Sequence, residues 1–241
     1  MKRRLGGVAD FLLAGDKQEW VILRHDVDRR PKKACAFARL EKAVGVRSTY
    51  YFRITSGGEF PAAAIAEIAG NGHEIGYHYE DLSACRGDRL QALARFYRNL
   101  SKLRQLAPCT TVSMHGAPLS RYDNQDLLHA DDLRRVGLLG DAVTSLRPFS
   151  PFYLTDTGGR WLATEANLRD RVGDVWPHDA LPDGGPAFQR FIEQEVRPLY
   201  ISTHPERWSA SFLDYCGVKA LDLIANSVKR VLRVARPAAR L

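Results

Sequence analysis

Of the seven histidines in the chain, four (His25, His78, His115 and His204) each close a strand-like run. In a parallel α/β barrel the chemistry sits at the C-terminal ends of the strands, so this placement points to a site. Carboxylates accompany the histidines. His25-Asp26-Val27-Asp28 carries two, and Glu80 follows His78 by two residues. If the strand continues, the two-residue period puts Asp26 and Asp28 on one face and His25 on the other. Two carboxylates that close repel unless something neutralises one of them. A divalent cation does so, with one aspartate as ligand and the other left free as a base. Asp28 could instead cap the helix beginning near Pro31, but Asp26 is too early for that. His78 and Glu80 share a face with Glu74 and Gly76, and Gly76 leaves room beside His78. In a closed barrel the last strand lies beside the first, which lets His204 face Asp26 across the mouth. A metal, a free carboxylate and an opposing histidine suit hydrolysis. The carboxylate deprotonates water, the metal polarises a carbonyl, and the histidine protonates the leaving group.

The elements that must position these groups alternate in type. Strand patterns are read at 20–25, 48–54, 73–79, 110–114 and 199–203, with weaker ones at 136–143, 152–155 and 172–176. Helix patterns are read at 31–44, 61–69, 88–106, 186–196 and 212–234. Pro31 suits a first helical turn, and Gly45 ends that helix. Such alternation predicts a parallel sheet with helices outside it, as an irregular (β/α) barrel. The length fits a single domain over 1–241, with a basic C-terminal helix at about 212–236.

In order, over about residues 20–208, the chain resembles the polysaccharide deacetylase superfamily, the NodB-like carbohydrate esterases that remove N- or O-acetyl groups from sugars. His25-Asp26-Val27-Asp28 resembles a variant first motif, which implies Asp26 as base and Asp28 as metal ligand. Gly72 to His78 resembles the Gly-His-Glu-Ile-Gly-x-His second motif and implies His78 as a ligand. Ser202-Thr203-His204 resembles the final motif and implies His204 as general acid. Asp156 and Trp161 fall where the family has an aspartate and a tryptophan supporting that histidine. Glu80 and His25 are further supporting or substrate-binding candidates. The resemblance implies a barrel of about seven parallel strands, a divalent metal (zinc first) and an acetylated carbohydrate substrate. Two departures stand out. The family's second metal histidine, four residues after the first, is here Leu82. His115 or Glu80 must then complete the site, and His115 is preferred because imidazole suits zinc. The arginine that opens the third motif and pairs with the catalytic aspartate is replaced by His115. Leu82 keeps a second class in play, a non-catalytic carbohydrate-binding protein on the same barrel.

Composition excludes other classes. The 241 residues are 45% hydrophobic and 26% charged, as in soluble globular proteins. The longest apolar runs, such as Phe11 to Ala14, are far too short to span a bilayer. The formal net charge of +7 is concentrated at residues 1–4 and 217–241, which leaves the body near neutral. A nucleic-acid enzyme more often carries a basic stripe across its working face, so no nucleic-acid partner is expected. The basic C-terminus is expected to dock on the barrel in preference to a membrane. Met1-Lys2-Arg3-Arg4 starts like a leader, but Asp10, Gly15 and Asp16 break the apolar stretch behind it. Cys35, Cys85, Cys109 and Cys216 form no C-x-x-C pair and read as free thiols. Both observations favour the cytoplasm.

Overall fold

A computed structural model describes residues 3–157, 172, 174–175, 197–209 and 211–218. Trp161, the expected helix at 186–196 and the basic end from 219 onward lie outside the described residues. In chain order the elements are β1 (Arg4–Gly6), α1 (Val8–Leu13), β2 (Trp20–Val27), α2 (Pro31–Ala43), β3 (Thr49–Phe52), α3 (Ala62–Gly70), β4 (Glu74–Tyr79), α4 (Asp81–Ala84), α5 (Arg89–Leu106) and β5 (Thr111–Met114). There follow α6 (Ala130–Arg135), β6 (Gly140–Asp141), β7 (Phe152–Thr155), β8 (Asp174–Val175) and β9 (Leu199–Thr203).

The strands form one sheet in the order β6-β5-β4-β3-β2-β9-β7-β8, and every pairing is parallel. β1 adds to the first half of β2, pairing Arg4 with Trp20, while β3 takes the second half. The fold is α/β, a curled parallel sheet with helices, consistent with an irregular (β/α) barrel. Nine strands are present among the described residues, where about seven are expected; two of them are only two residues long. The expected adjacency of the last strand to the first long one holds, since β9 pairs with β2 from Val21–Leu199 to His25–Thr203. β1, α1, α4 and α6 are not anticipated from the sequence; each has six residues or fewer.

Helices pack by one face. In α2 the buried positions are Ala34, Cys35, Ala38 and Glu41, and in α5 they are Ala92, Phe96, Asn99, Leu100 and Leu103. Both sets follow the helical repeat. Asp88 caps α5 by accepting from Gln91 N at 3.0 Å. Phe96 lies against Tyr77 and Tyr79, with ring centroids 5.6 and 5.5 Å away. At the other end of the strands α1 is tied down by its first turn. Val8 N donates to Thr49 Oγ1 (2.7 Å) and Ala9 N to Glu74 Oε2 (2.9 Å).

Register sets the inner layer. Asp26 stands opposite Tyr51, and Tyr51 opposite Gly76. A Cβ on Gly76 would lie 2.2 Å from Tyr51 Cε1, so the room that Gly76 leaves is filled by the Tyr51 ring and not by a ligand. No helix among the described residues is long and apolar enough to cross a membrane.

Candidate active site

β2 carries Asp26 near its end and Asp28 just beyond it, and His78 of β4 converges on them with His115 and His204, the residues that follow β5 and β9. Asp28, His78 and His115 each offer one ligand atom, all within 4.8 Å of one another. Asp28 Oδ1 lies 3.7 Å from His78 Nε2, and Asp28 Oδ2 lies 3.8 Å from His115 Nε2. These separations are too long for hydrogen bonds. They approach the roughly 3.4 Å between two ligands of a tetrahedral ion with bonds of about 2.1 Å. Asp28 Oδ1 is buried and has no hydrogen-bond partner among the described residues. One carboxylate and two imidazoles, with an orphaned oxygen between them, fit a divalent cation.

The imidazoles are oriented for this. His78 Nδ1 lies 3.0 Å from the Ser113 carbonyl, an acceptor, so Nδ1 carries the proton and Nε2 turns its lone pair toward Asp28. Burial, against the pull of Asp26 and Asp28, brings the His78 pKa down to about 4, which keeps the ring neutral. The β4–β5 ladder runs one step beyond the strands, His115 N donating to Tyr79 O at 2.8 Å. This places His115 beside His78, with ring centroids 5.2 Å apart. Glu80 stands behind His115, its Oε2 3.1 Å from Nδ1, and accepts from Arg53 Nη2 at 2.6 Å. Of the two candidates for the third position, His115 therefore reaches the common point and Glu80 backs it. Burial opposes ionisation of Glu80, but His115 and Arg53 outweigh it and hold its pKa near 2. Leu82 is buried in the core.

Asp26 is 2% exposed. Its carboxylate accepts two bonds from Arg24, Nε to Oδ1 and Nη2 to Oδ2, both 2.7 Å. Burial alone would raise its pKa. Arg24, with the charges of His78 and His204, outweighs burial and holds it below the usual carboxylate range. Asp28 is likewise lowered against burial, by His115, His78, His204 and Arg53. The arginine partner of Asp26 thus comes from its own strand, two residues earlier. His115, which on the sequence stands in that arginine's place, sits instead beside Asp28. Arg24 was legible in principle, since the two-residue period that groups Asp26 with Asp28 also includes it.

His204 follows β9. Its Nδ1 lies 2.6 Å from Asp156 Oδ1, and its backbone N–H donates to the same carboxylate at 3.0–3.1 Å. Burial lowers the His204 pKa, but Asp156 overrides it and lifts the value to about 9. With Nδ1 engaged, Nε2 is the nitrogen left to move a proton. Trp208 Nε1 donates to Asp156 Oδ2 at 3.1 Å, while the tryptophan expected to support this histidine, Trp161, lies outside the described residues. Trp208 was missed because only the fold brings it to a residue 52 positions away. Glu206 was also passed over. It is 7% exposed, its Oε2 has no partner among the described residues, and burial pushes its pKa up to about 7.

His25 does not join the site. Its ring lies between Phe37 and Tyr50, with Nε2 2.9 Å from Glu41 Oε1 and Nδ1 2.6 Å from Thr203 Oγ1. The alternation that turns Asp26 inward turns His25 outward, where it packs under α2.

No protein-family model matches the chain, and no curated protein matches it. Solved structures similar to it include a mutant of the peptidoglycan deacetylase PdaC from Bacillus subtilis (12% identity, TM-score 0.46, 88% of this chain and 83% of that one). A CE4 family pseudoenzyme from Bacillus anthracis is similar at 9% identity and a TM-score of 0.47, over 95% of this chain and 62% of that one. A CE4 esterase from Streptococcus mutans is similar at 14% identity and a TM-score of 0.44, over 92% and 86%.

Proposed function

We propose that the chain is a metal-dependent hydrolase of the polysaccharide deacetylase kind, removing an acetyl group from an amino sugar or other acetylated carbohydrate. The observation that carries this reading is the convergence of three side chains, Asp28, His78 and His115, beside an arginine-clamped Asp26. Asp28, His78 and His115 would hold a divalent cation, zinc being the first choice for this donor set. When bound, such an ion supplies Lewis-acid polarisation of the acyl carbonyl. Asp26, kept ionised by Arg24, takes the proton of the attacking water. His204, kept protonated by Asp156, gives one to the departing nitrogen or oxygen. Burial of Arg24, Asp26 and His204 keeps these charges in a medium that screens them little. A single domain and a cytoplasmic location complete the proposal, the latter because four free thiols suit a reducing compartment.

The test separates the two aspartates. Metal content of the protein purified without added metal is measured alongside acetate release from N-acetylglucosamine oligomers. Asp26→Asn should keep the metal and lose about 10²–10⁴ in rate. Asp28→Asn should lose both. Full turnover by Asp26→Asn would refute the assignment of the base. A wild type with neither metal nor turnover would refute the hydrolase and favour the carbohydrate-binding alternative.

A further inference from the structure

Beside the candidate centre, the end of β3 and one face of α5 line an open cleft of about 500 Å³. That lies within the 300–1,000 Å³ typical of small-molecule sites. Arg53 and Glu80 belong to both places. Arg53 bonds Glu80, and its Nη1 lies 3.7 Å from Asp28 Oδ1. On the far side Arg95, Arg98 and Lys102 line the cleft. They are spaced three and four residues apart, which puts them on one helical face.

The charge balance of this cleft is uneven. Four cations line it against one acid, Glu80. Two other carboxylates reach its lining cations, Asp81 at Arg95 (2.9 Å) and Glu59 at Lys102 (2.7 Å). Among the described residues Arg98 pairs with no acid and the buried Nε of Arg53 has no hydrogen-bond partner. Solvated surface arginines need no cleft wall. Here one arginine is fixed at a strand end between the cleft and the ligand triad, and Ile54, Thr55, Ser56 and Gly58 line the cleft beside it. Guanidinium forks match the paired oxygens of phosphate and carboxylate.

We propose that this cleft binds an oxyanion, a phosphate or carboxylate group carried by the molecule whose acyl group reaches the neighbouring centre. Placing that anion on an acylated substrate rests on the hydrolase reading; the anion site itself does not. The volume exceeds what one oxyanion needs and admits a sugar-sized group with it. The substrate class is then an anionic acetylated carbohydrate, and a neutral one would leave Arg98 unmatched, the other three cations already meeting Glu80, Asp81 and Glu59.

Calorimetric titration of the full chain tests this, with inorganic phosphate, N-acetylglucosamine, N-acetylglucosamine 1-phosphate and glucuronate as probes. The phosphorylated sugar should bind more tightly than the neutral one, and less tightly as salt rises. Arg98→Gln combined with Lys102→Gln should weaken the binding of the anions by about tenfold or more, about 1.4 kcal/mol, and leave the neutral sugar unchanged. Arg98 is exposed, so Arg98→Gln alone serves as a second variant without risk to the fold. Preference for phosphate or for glucuronate, lost in the variants, supports the site and names its anion. Equal affinity in wild type and variants, or no binding of any anion, overturns it. Anion binding without turnover would refute the hydrolase alone, and turnover without anion binding would refute the anion site alone.

Discussion

Replacing Arg24 with methionine isolates what holds Asp26 ionised. Arg24 is fully buried, and two of its nitrogens each meet one oxygen of Asp26 at 2.7 Å. A third, Nη1, donates to the Tyr200 hydroxyl at 3.2 Å. Two charge-assisted bonds at about 1.5–3 kcal/mol each give about 3–6 kcal/mol. Breaking a buried pair by removing one partner costs about 3–5 kcal/mol, in agreement. The pH dependence gives the sharper test. In the wild type the Asp26 pKa is depressed. Its contribution to stability is therefore present above the unfolded value of about 3.9 and is lost as pH falls through the lower folded value. In Arg24→Met burial prevails, the folded pKa rises above 3.9, and the sign reverses. The deficit should be largest at neutral pH and shrink as pH falls toward 4. Urea unfolding of wild type, Arg24→Met, Asp26→Leu and the double variant, at neutral and acid pH, measures both effects. The double variant should lose less than the sum of the singles, with a coupling of about 1–3 kcal/mol. A deficit under about 1 kcal/mol at pH 7, or one independent of pH and additive with Asp26→Leu, would show that the arginine does not hold this carboxylate.

Other perturbations follow from the same geometry. Asp156→Asn removes the group that lifts His204 to about 9. The histidine should then titrate below its ordinary 6.5 by NMR, because burial remains. In the wild type this pair stabilises fully below pH 6.5 and loses its effect as pH rises through about 9. The variant should lack that alkaline decline, and any acetyl hydrolysis should lose its general acid at pH 7. Gly76→Ala sets a methyl against the Tyr51 ring and should lower stability by about 1–3 kcal/mol, read as a drop in Tm. Phe96→Ala empties the wall shared by Tyr77 and Tyr79 and should cost about 3–5 kcal/mol in urea unfolding.

Local periodicity carries much of this protein in its sequence. The alternation of strand and helix patterns determines a parallel α/β sheet, because strands and helices each display their buried positions at a fixed repeat. The two-residue period turns Asp26 and Asp28 inward with Arg24 and turns His25 outward under α2. It also places His78, His115 and His204 at strand ends. What the period does not contain is the register between strands. Whether His115 or Glu80 meets Asp28 depends on how far β4 and β5 stay paired, and the extra bond from His115 N to Tyr79 O decides it. Asp156 and Trp208 meet because β7 and β9 are neighbours and the chain turns after His204. The space beside Gly76 passes to Tyr51 because β3 and β4 align those two residues. The cationic face of α5 becomes a cleft wall only because Arg53, at the end of a different element, bounds it toward Asp28. Each of these contacts joins separate elements of the chain, and the energy that selects it comes from pairing the strands and packing the helices on them, which no local window of sequence records.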